Sequence, residues 1–323
     1  MATARERYAT RIDAETWAFI ERSESFYPPE ASGWSLAENR AAYDALCRAF
    51  DAGHPPGVTA KTFSIAGPGG PLLVRSYRRT EHDTAAVMLY LHGGGYMLGG
   101  LESHDAICAE LCAATGFDLV SVDYRLAPEH RHPAAFEDAM AGLNWTAETF
   151  GRPVIVAGDS AGGNLAAAIS HSTRRSRIRP VGQLLIYPDL GGDTSGGSYV
   201  QHAEAPMLTT RDIEALHDTR ARGACAGDVT LAPLTDRDFY GLPPTVLIVA
   251  EVDPLASDGE AYCARLAAAG GKAHWVSEEG LVHGYLRARH TVARARHSFA
   301  RIAEAAKVLG HGRWIWRESR AAS

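Results

Sequence analysis

Hydrophobic and polar positions alternate along this chain with two different periods, and the period changes near residue 58. Before it, apolar residues recur three and four apart, as in WAFIERSESFY (17–27) and AENRAAYDALCRAF (37–50). That spacing predicts amphipathic helices and no strand. After it, short apolar runs bounded by glycine and proline take over. VTAKTFSIAG (58–67) and PLLVRSYRR (71–79), joined at Gly67-Pro68-Gly69-Gly70, predict an antiparallel pair. Strand and helix then alternate: AAVMLYL (85–91), a helix from Ser103 to about Thr115, FDLVSVDY (117–124), a helix over 133–150, PVIVAG (153–158), a helix over 162–175, and VGQLLIYP (181–188). Past Pro188 the tract DLGGDTSGGSYVQHAEAPMLTT (189–210) has no period, and a helical patch follows over about 211–222. Order resumes with the strand PPTVLIVAE (243–251), the helix GEAYCARLAAAG (259–270), the strand KAHWVSEE (272–279) and a last helix over 291–309.

Several of these strands are apolar on both faces, as strands covered by helices on both sides must be. The pattern predicts an α/β fold with a mostly parallel eight-stranded sheet. It divides the chain into N-terminal helices (1–57), a first part of the core (58–189), an insertion (190–235), and a second part of the core with a C-terminal tail (236–323). No internal repeat interrupts this plan.

Composition narrows the function classes. The chain has 323 residues, 46% apolar and 22% charged, with a formal charge of −6. No basic patch stands out, so nucleic acid is not an expected partner; Arg174, Arg175, Arg177 and Arg179 read as a solvated helix end. The opening MATARERYATRIDAETW lacks a continuous apolar stretch and carries acids, unlike a secretory signal, and no apolar run is long enough for stable membrane insertion. Five scattered cysteines, an odd number, do not make a disulfide framework and point to the cytoplasm. Cys108 and Cys112, one helical turn apart, read as packed helix residues. Neither a metal nor a cofactor is expected.

The chemistry concentrates in three places. Gly158-Asp159-Ser160-Ala161-Gly162 is a G-x-S-x-G that follows a buried strand and opens a helix. In that context a serine stands on a sharp turn with its hydroxyl exposed at a helix N-terminus, and only small residues fit two before and two after it. A hydroxyl needs a base. His283, in GLVHGYL just past the last strand, is the candidate, because sites in open parallel sheets gather at the strand ends; His104 is the alternative. The base needs a carboxylate to fix its tautomer, and Asp253, directly after the seventh strand, is the candidate over Glu251 and Asp258. Finally, AAVMLYLHGGGYMLGG hands a strand over to Gly93, Gly94 and Gly95, where bare backbone N–H groups can approach a developing oxyanion.

HGGGY, DYRLAPEHRHPAA, GDSAGGN, GLPPTVLIVAEVDPL and HGY occur in that order, and with them the chain, from about residue 35 to 310, resembles the hormone-sensitive-lipase-like esterases of the α/β-hydrolase superfamily. The resemblance implies Ser160 as nucleophile, Asp253 as acid and His283 as base. It implies an oxyanion hole from Gly94, Gly95 and Ala161, with His92 and Gly93 shaping the loop, and Asp123, Arg125, Glu129 and His130 as nearby supports. It implies a small ester substrate with a short acyl chain, no cofactor, a helical cap built from the N-terminal helices and the insertion, and pairing into a homodimer. The insertion is less family-like than the rest; its Gly-rich entry at 191–197 reads as a hinge, and the acyl and alcohol preference stays open, as does an amide, lactone or carbamate in place of the ester. In a non-catalytic binding relative of this fold the base histidine is lost, whereas His283 is present.

Overall fold

The computed structural model describes residues 3–221, 225 and 227–316. Strands β1 (Val58–Gly67), β2 (Gly70–Arg79), β3 (Asp83–Leu91), β4 (Phe117–Val122), β5 (Val154–Asp159), β6 (Gly182–Ile186), β7 (Thr245–Val252) and β8 (Ala273–Val282) form one sheet in the order β1-β2-β4-β3-β5-β6-β7-β8. β2 runs antiparallel to both β1 and β4, and every other pairing is parallel. The chain steps outward from β3 to β4, then returns to the other side of β3 with β5. The crevice beyond the carboxyl ends of β3 and β5 is therefore the switch point where ligands bind in open sheets.

Alternation along the strands builds two cores. Met88 and Tyr90 of β3, Ile155 and Ala157 of β5, and Ile248 and Ala250 of β7 enter one cluster, while Val87, Leu89, Leu91, Val154, Val156 and Leu247 enter the other. This is the period of two that a strand imposes. Among the helices, α1 (Ala4–Arg7), α2 (Ala14–Glu24), α3 (Leu36–Ala49) and α4 (Asp105–Thr115) precede β4; α5 (Ala134–Phe150) and α6 (Ala161–Thr173) flank β5; α7 (Gly197–Gln201) and α8 (Thr210–Ala221) follow β6; α9 (Ala256–Ala268) and α10 (Ala293–Gly310) complete the chain. The first core is closed by α4, through Ile107, Cys108, Leu111 and Cys112, and by α10. The second is closed by α5, α6 and α9, through residues such as Leu143, Leu165 and Leu266. Cys108 and Cys112 are thus packed helix residues, and all five cysteines are free. No helix among the described residues is long and apolar enough to cross a membrane.

Three local readings are corrected. Arg174 does not simply meet water: it is half-buried, reaches Asp236 Oδ2 at 2.7 Å and the Asp238 carbonyl at 2.7 Å, and so holds the loop before β7. β8 runs three residues past Glu279, because the Glu251 carboxylate accepts the Gly280 N–H at 2.8 Å where the β7–β8 register shifts. The aperiodic tract contains α7, anchored by Ser198 Oγ on the Pro254 carbonyl and Ser257 Oγ. Arg222, the expected end of the helical patch, lies outside the described residues.

Candidate active site

The turn between β5 and α6 fixes the serine. Ser160 has φ 53° and ψ −119°, a conformation that costs on the order of 1–3 kcal/mol for a residue with a Cβ. The flanking glycines are forced by contact: a Cβ on Gly158 would meet the Gly162 carbonyl at 2.4 Å, and one on Gly162 would meet the Leu91 carbonyl oxygen at 1.9 Å. Ser160 N–H donates to the Ile186 carbonyl at 2.9 Å, which ties the turn to β6.

The two other expected groups converge on it. His283 Nε2 lies 2.9 Å from Ser160 Oγ, and His283 Nδ1 lies 2.7 Å from Asp253 Oδ2. Asp253 is fully buried, and its other oxygen accepts the Leu255 N–H at 2.9 Å. The carboxylate can therefore turn only one edge toward the imidazole. Tyr187 packs edge-on against the His283 ring, 4.9 Å between centroids. The competitors for these positions are occupied elsewhere. Glu251 holds Gly280 and Arg11. Asp258 accepts the N–H groups of Leu190 and Gly192 and the Tyr199 hydroxyl; it is buried in the first turn of α9 and supports the entry to the insertion. His104 is buried and directed at Asp159 Oδ2 at 3.3 Å.

The glycine loop after β3 lies beside the serine. Gly93 donates its N–H to Asp159 Oδ1 at 3.0 Å, while the N–H groups of Gly94, Gly95 and Ala161 meet no acceptor among the described residues. Those three residues, Ser160 and His283 line one cavity of about 250 Å³. Gly94 has φ 126°, and a Cβ there would lie 2.2 Å from the Leu98 carbonyl oxygen. His92 is completely buried, stacked on Tyr124 at 4.2 Å, with Nδ1 donating to the Gly93 carbonyl at 2.8 Å. Burial first, and the neighbouring His104 second, push its pKa down to about 3, so the ring stays neutral and keeps this donor.

Asp159, within the serine motif, is a functional residue that the sequence reading passed over. It accepts from the Tyr90 hydroxyl at 2.8 Å as well as from Gly93. Burial opposes its charge, but His104 first, then the Arg287 charge and the Tyr90 hydrogen bond, outweigh burial and hold the carboxyl well below the usual carboxylate range. Asp189 was also missed. It accepts from Tyr96 at 2.9 Å and meets His217 of α8 at 2.8 Å, joining the sheet edge to the insertion. No pattern of spacing marks either residue, since their partners lie far away in sequence. Of the expected supports, Arg125 grips Asp138 and Glu129 takes a two-pronged bond from Arg40 of α3. Asp123 Oδ1 sits 2.8 Å from where a Gly100 Cβ would stand. His132, beside His130, pairs with Asp228 at 3.0 Å, and no cluster of three or more metal-binding side chains exists among the described residues.

Comparison with known proteins agrees with this architecture. Residues 88–287 match a family described as having an alpha/beta hydrolase fold. Esterase LipI of Mycobacterium tuberculosis is 38% identical over 275 residues, covering 80% of this chain and 84% of that protein. Carboxylesterase NlhH of the same organism is 41% identical over 215 residues, 63% and 67% of the two chains. The hyperthermophilic esterase of Pyrobaculum calidifontis superposes with a TM-score of 0.83 at 30% identity, covering 94% of this chain and all of its own. With the family matched over more than half its length and relatives of this identity and coverage, the chain belongs to the hormone-sensitive-lipase-like carboxylic ester hydrolases of the α/β-hydrolase superfamily.

Proposed function

We propose that the protein hydrolyses small, short-acyl carboxylic esters through an acyl-enzyme formed on Ser160. The observation that carries this reading is the unbroken relay from Asp253 Oδ2 through His283 to Ser160 Oγ, at 2.7 and 2.9 Å. As Ser160 Oγ attacks the ester carbon, His283 Nε2 takes its proton, and Asp253 stabilises the resulting imidazolium. The carbonyl oxygen becomes an oxyanion within reach of the unspent N–H groups of Gly94, Gly95 and Ala161. His92 and Gly93 keep that loop in shape, the first by its stack and hydrogen bond, the second through Asp159. His283 returns the proton to the departing alcohol; water then attacks the acyl group by the same route and frees the acid.

The size of the cavity, about 250 Å³, supports a small substrate. Tyr43 and Leu46 of α3 and Ile213 and Leu216 of α8 line it, which supports reading residues 1–57 and 190–235 as the two parts of a cap over the core segments 58–189 and 236–323. Of the glycines expected to hinge that cap at 191–197, the first two are tightly packed, a Cβ on Gly191 meeting Ala232 Cβ at 2.4 Å and one on Gly192 meeting Asp258 Oδ1 at 2.0 Å, whereas Gly196 has nothing within 4 Å. The same reading puts the protein in the cytoplasm as a homodimer. Trp316 is engaged within its own chain, stacked on His274 of the edge strand β8. Replacing Ser160 with alanine tests the assignment. Turnover of p-nitrophenyl acetate should fall to background while the melting temperature holds; a variant that keeps most of its activity would overturn it.

A further inference from the structure

A cation in the substrate cavity makes no ion pair among the described residues: Asp159, the carboxylate whose charge it feels, lies beyond ion-pair distance and is held by other groups. Arg287 follows His283 by four residues, in the 3₁₀ turn Tyr285–His290. It is only 8% exposed and lines the substrate cavity, where it is the single arginine, with no lysine, among the described lining residues; its other side borders a second, much smaller cavity beside Cys47 and Arg289. Its Nη2 donates to the Tyr43 hydroxyl oxygen, its Nε to Cys47 Sγ at 3.4 Å, and the guanidinium carbon lies 4.9 Å from the centre of the Tyr43 ring. Among the described residues no carboxylate comes within ion-pair distance, and Nη1 has no acceptor. Two residues on, Arg289 shows the ordinary solution: it is also buried, and it makes a two-pronged pair with Glu110. Burying a guanidinium without such a partner is costly, which makes an unpaired one facing a substrate cavity a recognition group.

Its surroundings extend the point. Because the Tyr43 oxygen accepts from Arg287, its own proton remains for another acceptor, and none among the described residues takes it. Two unspent donors, Arg287 Nη1–H and Tyr43 O–H, thus meet at one wall. That wall adjoins both halves of the reacting centre. Nη1 lies 3.8 Å from where a Cβ on Gly284, the neighbour of His283, would stand, and the Tyr43 oxygen lies 3.3 Å from where a Cβ on Gly94 would stand. The acids that also line the cavity are already engaged, Asp159 by Tyr90, Gly93 and His104, and Asp189 by Tyr96 and His217.

We propose that Arg287 and Tyr43 form an anion-binding subsite, and that the preferred substrates are short esters carrying a carboxylate. This rests on the esterase reading and specifies its substrate class. A guanidinium beside a neutral hydroxyl donor suits a carboxylate better than any neutral group of the same shape. The carboxylate can belong to the acyl part, as in a hemiester of a short dicarboxylic acid, or to the alcohol part, as in an acylated hydroxy acid.

Isosteric pairs test it. On the acyl side, kcat/KM for monoethyl succinate is compared with that for ethyl 4-oxopentanoate; on the alcohol side, 3-acetoxypropanoate is compared with 4-acetoxy-2-butanone. In the wild type the carboxylate member of one pair should be preferred by at least about tenfold. That ratio should fall by about tenfold or more in Arg287→Met and recover in part in Arg287→Lys. Wild-type protein with no preference in either pair, or a preference that survives Arg287→Met, would overturn the proposal. Should Arg287→Met fail to fold, inhibition of wild-type p-nitrophenyl acetate hydrolysis decides: succinate should compete and succinamide should not, and equal inhibition by the two, or none by succinate, would overturn it. Wild-type protein inactive on all four esters and on p-nitrophenyl acetate would instead remove the esterase reading beneath it.

Discussion

Gly162 is where fold and proposed chemistry meet most tightly, so replacing it with alanine is the sharpest perturbation short of deleting a reacting group. The new Cβ would stand 1.9 Å from the Leu91 carbonyl oxygen, 2.5 Å from its carbon and 2.7 Å from the His92 carbonyl oxygen. All three are backbone atoms at the end of β3, so no side-chain rotation relieves the clash. To restore even a tight contact, the end of β3 and the start of α6 must separate by roughly 1 Å, the scale at which misplaced reacting groups lose about 10²-fold in rate. That movement draws the Gly93–Gly95 loop away from Ser160 and Ala161. Overpacking of this kind also costs about 1–3 kcal/mol of stability. The assay is kcat/KM for p-nitrophenyl acetate together with a thermal melt. Gly162→Ala should lose about 10²-fold in kcat/KM and melt earlier. Gly196→Ala is the control, since nothing lies within 4 Å of its Cβ position and its φ is −143°; it should match the wild type. Gly162→Ala with more than about half of the wild-type kcat/KM would refute the reasoning that ties the loop to the serine through this contact.

Asp253→Asn keeps the shape of the carboxylate but removes its charge and disturbs the imidazole tautomer, so kcat should drop by about 10⁴ with an unchanged fold; a loss under tenfold would argue that Asp253 does not serve His283. Asp258 offers a pH test. Burial first, and the nearby Asp189 second, raise its pKa to about 7 from an ordinary value of 3.8. The folded chain therefore keeps a proton that the unfolded chain releases, and this contribution to stability declines as pH rises from about 4 to about 7, by up to about 1.4 kcal/mol per pH unit. Asn at this position cannot ionise, so urea unfolding should show Asp258→Asn gaining on the wild type between pH 5 and pH 8; a constant difference would contradict the assignment.

Much of this structure is legible along the chain because the signals are local. Strands β3 to β7 carry buried, β-rich runs such as VIVAG and TVLIVA, and Gly158 and Gly162 announce a turn that admits nothing larger. Chain order alone brings Ser160, Asp253 and His283 forward, since each follows a strand that ends on the same edge of a parallel sheet. What escaped was set by partners distant in sequence. Asp159 matters through Gly93, 66 residues away, and Asp189 through His217, 28 residues away. Arg174 looked solvated because Asp236 and Asp238 meet it only after the insertion folds back. Arg287 sits in a short arginine-bearing stretch, RAR, where Arg289 is paired and Arg287 is not; no linear pattern separates the two. The glycines at 191 and 192 read as freedom, yet they are there because Ala232 and Asp258 leave no room for a side chain.

The central claim is that Ser160 is an activated nucleophile, and covalent capture addresses it most directly. Intact-mass and peptide analysis after exposure to diethyl p-nitrophenyl phosphate should show one diethylphosphoryl group per chain, on the peptide bearing Ser160, with esterase activity lost in step with labelling. Full labelling at any other residue, or a protein that remains unlabelled while hydrolysing esters, would contradict the account.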